Sequence, residues 1–277
     1  MAVTTTGLAR FAGLRQYAHV IRVVAAAEFK LKYSGSALGY AWSVLKPLAL
    51  FTMLYLVFGR VFHLGNISHY YPVSLLIGIV LITFFNDATI LGMNSLVVRG
   101  TLLRKLAFER SIIPISATLT AGITFLINCL VVCAFLAWNR IAPEPAWLLL
   151  VPLLLELYVF IVAIALILAT LLVRLRDIGQ VWELALQVFF YATPIIYPIG
   201  YLPAWSRKIA FVNPFTQVLQ DARNLLLYPD LKPNRITVAD AFGTPWARLI
   251  PVGIVALLAI TAWRLFRREE PWFAERV

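Results

Sequence analysis

The chain has 277 residues, of which 61% are hydrophobic and 13% are charged, and its mean hydropathy is +0.84. This composition excludes a soluble globular domain, a disordered chain and a disulfide scaffold, and it leaves a polytopic membrane protein. At about 20 residues per helical span, the length holds roughly six spans. Cytoplasmic loops and anionic lipid explain the net charge of +11, so no nucleic-acid partner is expected.

The N-terminal region predicts a helix that lies on the membrane. Residues 1–16 lack the apolar core of a cleavable signal peptide. Residues 14–33 place basic side chains on one stripe and apolar side chains on the other, as in an amphipathic interface helix. Glu28 interrupts the apolar face, and two interpretations are open. We expect contact with lipid headgroups or with Lys32 one turn on, and the alternative is a fixed contact to another helix or subunit.

Long apolar runs predict an all-α fold with six transmembrane helices in a single domain. The predicted spans are 43–63, 73–98, 112–138, 147–173, 178–196 and 247–266. The fifth run contains Glu183 and Gln187, so it is the least apolar of the six. Most Lys and Arg residues fall on the side of the N-terminus, which predicts that both termini are cytoplasmic.

Aromatic residues recur at helical spacing along the first span and near the end of the fifth. They are Phe51, Tyr55, Phe58 and Phe62 in the first span, and Phe190, Tyr191 and Tyr197 in and after the fifth. Such faces can slide against sugar rings without a fixed hydrogen-bond register, although ordinary helix packing explains them as well.

Asp87 lies near the middle of the second predicted span. A charged carboxylate there costs roughly 2.5–3.5 kcal/mol to insert, so Asp87 is expected to face the protein interior or a watery path. A structural hydrogen bond to a neighbouring helix is the alternative.

The segment 99–110, between the second and third spans, is short and strongly basic. Its apolar side chains favour a docking helix for a cytoplasmic partner, since a topology signal alone would need only charge. The residues expected at this contact are Leu102, Leu103, Arg104, Lys105, Leu106, Phe108 and Arg110.

The segment 197–246 is rich in proline and contains apolar stretches that are too short to span a bilayer. Two short re-entrant or interfacial helices, broken at Asn213-Pro214, fit this pattern. Such backbone must be covered by protein or line a wet cavity at membrane depth.

The sequence contains no motif for nucleotide or metal chemistry. The P-loop pattern, HExxH and GxSxG are absent, and His19, His63 and His69 are scattered. Asp87 and Glu156 are the acids well inside the spans, and nothing in the sequence places them together. We therefore expect no catalytic residue, metal or cofactor in this chain.

Three sets of segments occur in an order and spacing that agree with six spans. They are 28–42 with Lys46-Pro47-Leu48, Arg176-Asp177-Ile178 with 193–198, and 213–216 with Asp221-Ala222-Arg223. Together they resemble the transmembrane subunit of bacterial ABC-2-type polysaccharide exporters, which move lipid-linked O-antigen, teichoic acid or galactan. One position departs from that family, since Glu109 stands where a proline is common.

The resemblance implies a homodimer that encloses a channel in the bacterial cytoplasmic membrane. Two separate ATPase subunits would bind ATP and Mg²⁺, and 99–110 would be the coupling helix that docks on them. The helix 14–33 would be a gate where a lipid-linked substrate enters, and 197–230 would close the outer side. The expected gate residues are Glu28, Lys30, Lys32, Tyr33 and Trp42. The expected path residues are the aromatic residues named above and Asp87.

Two other functions stay open. One is a membrane-embedded transferase acting on lipid-linked sugars, for which Asp87 or Glu156 would have to serve as acid or base. The other is an ABC-2 exporter of a drug or lipid. A proton-coupled carrier fits less well, because the spans lack a relay of several acids or histidines.

Overall fold

The computed structural model describes residues 21–30, 38–66, 70–100, 109–227 and 236–273, and none of these lies in a β-strand. The helices, in chain order, are α1 (21–30), α2 (Trp42–Leu54), α3 (Tyr71–Val98), α4 (Ile112–Trp138), α5 (Leu150–Arg174), α6 (Ile178–Ala192), α7 (Ala204–Val212), α8 (Pro214–Leu227), α9 (Val238–Phe242) and α10 (Leu249–Glu269). The all-α expectation is therefore met throughout the described ranges.

Five segments are long and apolar enough to cross a membrane, and they correspond to five of the six predicted spans. They are Gly39–Val61, Tyr71–Val98, Ile112–Trp138, Pro145–Arg174 and Pro245–Trp272. The first includes α2 and its π-helical continuation Tyr55–Val61.

The predicted span 178–196 differs from the structure, because its helix α6 ends at Ala192 after 15 residues. Thr193 is extended, with φ −86° and ψ 136°. Pro194 follows it, and a proline disfavours the α conformation in the residue before it. At 1.5 Å per residue, α6 is about 22 Å long, which is less than the hydrocarbon thickness of about 30 Å. The apolar run of the sequence continues past the point where the helix stops.

Helix α3 forms the centre of the bundle and packs against α4 and α5. In its most apolar stretch 72% of the residues are buried, whereas the figure for the first span is 17%. Gly92 allows the close approach of α3 to α5, because a Cβ there would lie 2.6 Å from the Cβ of Ala165. The core is thus built on α3, while α2 lies at its edge.

The chain between α6 and α10 folds into short helices rather than a further long one. α7 and α8 meet at Asn213-Pro214, where Asn213 is extended and its side chain accepts a hydrogen bond from the Phe215 N–H at 3.0 Å. Most residues of α8 are buried, and this helix packs against α3, α5 and α10. The predicted break is therefore observed, and α8 lies inside the bundle.

Candidate functional site

A cavity of about 750 Å³ opens between α2, α3 and α4. Trp42 and Lys46 line it from α2, Asp87 from α3 and Thr124 from α4. The structure thus brings the predicted gate residue Trp42 to the same cavity as the predicted path residue Asp87. The remaining wall is mostly apolar, so the cavity combines an apolar surface with one cation and one carboxylate.

The predicted aromatic stripe of the first span divides into a packed part and an exposed part. Phe51 is buried, stacks on Tyr55 and meets Phe135 of α4 edge to face at 5.5 Å. Phe58 stacks on Phe62 at 5.4 Å, and Phe62 is 64% exposed. Phe51 therefore packs inside the chain, whereas Phe62 presents its ring outward.

The aromatic residues at the end of α6 lie close together. Phe190 meets Tyr191 edge to face at 5.2 Å, and Tyr191 is 68% exposed. The Tyr197 hydroxyl donates to the Tyr191 carbonyl at 3.3 Å. These three residues form one local group at the turn that follows α6.

Glu28 makes a fixed contact with the bundle, as the alternative interpretation expects, whereas Lys32 lies outside the described residues. Its carboxylate forms an ion pair with Arg99, and the Thr120 hydroxyl donates to it at 3.1 Å. Arg99 also donates to the Ser116 hydroxyl at 3.2 Å. The contact follows from the position of Glu28 on the apolar face of α1, where a carboxylate needs a cation from the surface it packs against.

Arg99 is itself partly removed from water. Burial lowers the pKa of the Arg99 guanidinium, because the charged form loses hydration. The Glu28 carboxylate offsets this loss. α1 is therefore tied to the first residue of the predicted docking segment 99–110.

The other end of that segment is also attached. The Arg110 N–H donates to Glu270 Oε1 at 3.2 Å, and its guanidinium contacts the Glu270 carbonyl. Lys30 is exposed on α1. The remaining predicted gate and docking residues lie outside the described residues, and they are Lys32, Tyr33, Leu102, Leu103, Arg104, Lys105, Leu106 and Phe108. These contacts lie at one end of the bundle, where α3, α5 and α10 finish and α4 begins, hereafter the Arg99 end.

Arg223 of α8 organises the opposite end of the bundle, hereafter the Arg223 end. Arg223 is 5% exposed, and its guanidinium donates to three main-chain carbonyls. The distances are 3.1 and 3.0 Å to Ser74, 2.8 Å to Pro194 and 2.8 Å to Ile195. The Tyr71 hydroxyl donates to the next carbonyl, that of Ile196, at 3.0 Å. The turn after α6 is therefore held to α3 through its main chain.

Sequence reasoning noted Arg223 within a motif but did not assign it to the site. A signal was present, because Arg223 is a cation inside the apolar stretch 218–227, away from the basic loops. Gly78 of α3 makes room for it, since a Cβ there would lie 2.9 Å from Arg223 Nη2 and 3.0 Å from Ile195 Cγ2. The two resemblance segments 193–198 and 221–223 thus meet at one point.

The two acids within the spans do not share a site. Glu156 of α5 lies beside Gln217 and Asp221 of α8, and Gln217 Nε2 donates to Asp221 at 2.9 Å. Asp87 instead lines the cavity against α2. In the ranges that the structure describes, no three His, Cys, Asp or Glu side chains come together as a metal site requires.

Comparison with known proteins gives a consistent result. Residues 19–227 match the family described as ABC-2 type transporter. Two proteins of Klebsiella pneumoniae named O-antigen export system permease protein RfbA are each 28% identical over 217 residues, which is 78% of this chain and 83% of the relative. A protein of the same name from Myxococcus xanthus is 26% identical over 269 residues, 95% of this chain and 97% of the relative.

The family match begins before α1 and ends with α8, so it includes the cavity, the residues of the Arg99 end up to Arg174, and Arg223. It covers well over half of the chain. The chain therefore belongs to the ABC-2 type transporter family and is the membrane subunit of a transporter.

Proposed function

We propose that this chain is the permease half of an ATP-driven exporter that moves a lipid-linked polysaccharide across the bacterial cytoplasmic membrane. Two copies pair around the path, and two copies of a separate ABC ATPase supply the energy. The relatives named for O-antigen export support a glycan as cargo. The Myxococcus xanthus relative matches 95% of this chain, which supports the same role for nearly the whole of it.

The observation that carries the pairing of two copies is the apolar surface left by α2 and α6. Leu186 is the one buried residue of α6, while Val181, Leu184 and Val188 are 61–62% exposed. The first span is likewise covered little by the rest of the chain. A second copy would cover these faces and close a path between the two chains. The exposed rings of Phe62 and Tyr191 would then face that path.

The short helix α6 serves as the fifth of the six spans in this proposal. The turn 193–196 completes the crossing, and the carbonyls of Pro194, Ile195 and Ile196 meet Arg223 and Tyr71 instead of lipid. α7 and α8 are the re-entrant helices of the segment 197–230 and close the outer side. Both chain termini are then cytoplasmic, and the Arg99 end faces the ATPase.

Movement of the ATPase reaches the gate through the segment 99–110. Its docking residues are Leu102, Leu103, Arg104, Lys105, Leu106 and Phe108, with Arg110 at the exit. The segment begins at Arg99, which binds Glu28 of the gate helix α1. A shift of the docked segment therefore pulls on α1 and on the cavity that Trp42 lines. ATP binding would bias this coupled pair between two arrangements.

The proposal is tested by co-expression with the ATPase subunit and purification in lipid. The wild-type chain is expected to form a 2:2 complex with ATPase activity. The double variant Leu103→Asp/Phe108→Asp should retain about a tenth of the bound ATPase, because charge replaces the apolar docking contacts. Leu148→Asp is the matched control, since Leu148 is 75% exposed and lies at the Arg223 end. Wild-type recovery of the ATPase with the double variant would contradict the docking role.

Cargo and chemistry are tested separately. Asp87→Asn and Glu156→Gln should both support export of glycan to the cell surface, because these acids do not share a site and the chain belongs to a transporter family. Loss of glycan transfer with normal ATPase binding would favour a transferase. Normal ATPase activity without glycan export in wild-type cells would favour a drug or lipid as cargo.

A further inference from the structure

Three parts of the chain that are far apart in sequence meet where α10 ends. Arg110 binds Glu270 through its N–H and guanidinium, and Arg267 forms ion pairs with Glu109 and Glu270. Arg174 at the end of α5 pairs with Glu269 at 2.7 Å. We call this group of charged residues the C-terminal junction. It consists of Glu109, Arg110, Arg174, Arg267, Glu269 and Glu270.

The C-terminal junction is anchored in the apolar core rather than lying only on the surface. Phe266 and Phe273 are 0% and 1% exposed and meet edge to face at 5.1 Å. They belong to one cluster with Leu96 of α3 and Ile113 of α4. Glu269, between the two rings in sequence, is 5% exposed. The segment from Phe266 to Phe273 therefore cannot shift without moving against α3 and α4.

The junction lies between the exit of the proposed docking segment and the start of α6. Glu109 and Arg110 directly follow the apolar residues of the proposed docking segment. Arg174 is followed by three residues and then by α6, which has one buried residue. Within the described ranges, α6 contacts α3 through Trp182, whose indole N–H donates to the Thr89 hydroxyl at 3.1 Å, and through the buried Leu186. A displacement at the docking segment reaches the start of α6 through Glu270 and Glu269.

We propose that Glu269 and Glu270 are positioning residues that transmit movement of the ATPase-docking segment to α6, and so to the path that α6 lines. This role rests on the proposed function. The pairs suit it because a guanidinium between two carboxylates can change partner while remaining neutralised, and Arg267 pairs with both Glu109 and Glu270.

The test uses Glu269→Gln in the full complex, with Arg268→Gln as the control, because Arg268 is the adjacent residue of the same helix and is exposed. Three quantities are measured: the yield of complex, the ATPase rate, and the glycan exported per ATP hydrolysed. Glu269→Gln should keep the complex and an ATPase rate within about twofold of wild type, while export per ATP falls about fivefold. Arg268→Gln should leave all three unchanged.

A charge exchange separates pairing from a simple loss of the acid. The double variant Arg174→Glu/Glu269→Arg restores the pair with its charges reversed and should recover at least about half of the export per ATP. Glu270→Gln, at a half-buried position, provides a second variant that does not remove a buried carboxylate. It should lower export per ATP in the same direction as Glu269→Gln.

The outcomes distinguish the junction from the proposed function. Wild-type complex that exports no glycan overturns the proposed function and this role with it. If the wild-type complex exports glycan and both Glu269→Gln and Glu270→Gln export as much per ATP, only the role of the junction in transmission is overturned. A fall of complex yield, ATPase rate and export in the same proportion would make Glu269 and Glu270 structural, which also overturns the role in transmission.

Discussion

The two ends of the bundle are held together by different chemistry. At the Arg99 end, guanidinium groups pair with carboxylates, as in Arg99–Glu28, Arg174–Glu269 and Arg267–Glu109. At the Arg223 end, the Arg223 guanidinium donates to main-chain carbonyls of Ser74, Pro194 and Ile195. Both ends use arginine, but the acceptors at the Arg99 end are mostly carboxylates, with the Glu270 carbonyl as a further contact of Arg110, whereas those named at the Arg223 end are main-chain carbonyls.

This difference indicates which end can rearrange. A carboxylate on a flexible side chain can leave one arginine and bind another with little movement of the helices. A carbonyl is part of the main chain, so three carbonyls around one guanidinium fix the relative positions of α3, α8 and the turn after α6. The Arg99 end therefore suits a region that responds to a partner, and the Arg223 end suits a rigid frame.

The largest effect is expected from Arg223→Gln. The variant leaves buried carbonyls without donors, and the free energy of unfolding in detergent should fall by about 3 kcal/mol or more. Arg223→Lys should also lose most of this stability, because an ammonium group lacks the planar fork that reaches three carbonyls.

Arg207→Gln is the matched control for this change. Arg207 also donates to main-chain carbonyls, those of Leu202 and Gly200, but it is only partly buried. Its replacement should lower the free energy of unfolding by about 1 kcal/mol or less, since water can donate hydrogen bonds to the exposed carbonyls in its place. Equal losses for the two variants would contradict the special role of the buried guanidinium.

Gly78→Ala tests the rigidity of the Arg223 end by adding a methyl group next to Arg223 instead of removing its guanidinium. The added Cβ would meet Arg223 Nη2 and Ile195 Cγ2 at 2.9 and 3.0 Å. Because both atoms are held in place, the midpoint of thermal unfolding should fall by an amount equivalent to about 2 kcal/mol. Gly253→Ala in α10 has no neighbouring atom within 4 Å and should be neutral or slightly stabilising. Equal midpoints for the two variants would mean that the guanidinium moves aside easily.

The sequence predicted the spans better than the contacts between them. Apolar run length located five of the spans, because the bilayer acts on each helix separately. It did not locate the end of α6, because the run 178–196 stays apolar after Pro194 has ended the helix. A local steric rule decides that position, and hydropathy does not contain it.

The contacts at the two ends join residues that are far apart in the sequence, so no local sequence pattern predicts them. Arg223 bonds a carbonyl 149 residues earlier in the chain, and main-chain carbonyls have no sequence signature. Glu28 was visible as a carboxylate on an apolar face, but the pattern favoured Lys32, its neighbour on the helix, over the distant Arg99. The type of residue at the site could therefore be predicted, while its partner required the packed structure.

A smaller effect than at the Arg223 end is expected from Glu28→Gln, which weakens the attachment of α1. The loss of the ion pair should lower the free energy of opening of α1 by about 1–2 kcal/mol. Hydrogen exchange of the amides in residues 21–30 should become faster by the factor that corresponds to this change. Arg22→Gln, at an exposed position of the same helix, is the control. If exchange is equally fast in both variants, α1 is held by its apolar contacts and not by Glu28.

The smallest effect is expected from Arg267→Gln. The Arg267 side chain is 42% exposed and that of Glu109 is 34% exposed, so water and salt screen their pair. The guanidinium also lies over the Trp263 ring at 4.5 Å, and the aliphatic part of the Gln side chain can keep some of that contact. The free energy of unfolding should fall by about 0.5 kcal/mol, and this difference from wild type should vanish at about 1 M salt. A loss of about 2 kcal/mol that persists in high salt would mean that the Arg99 end is as rigid as the Arg223 end, and the contrast between the two would then fail.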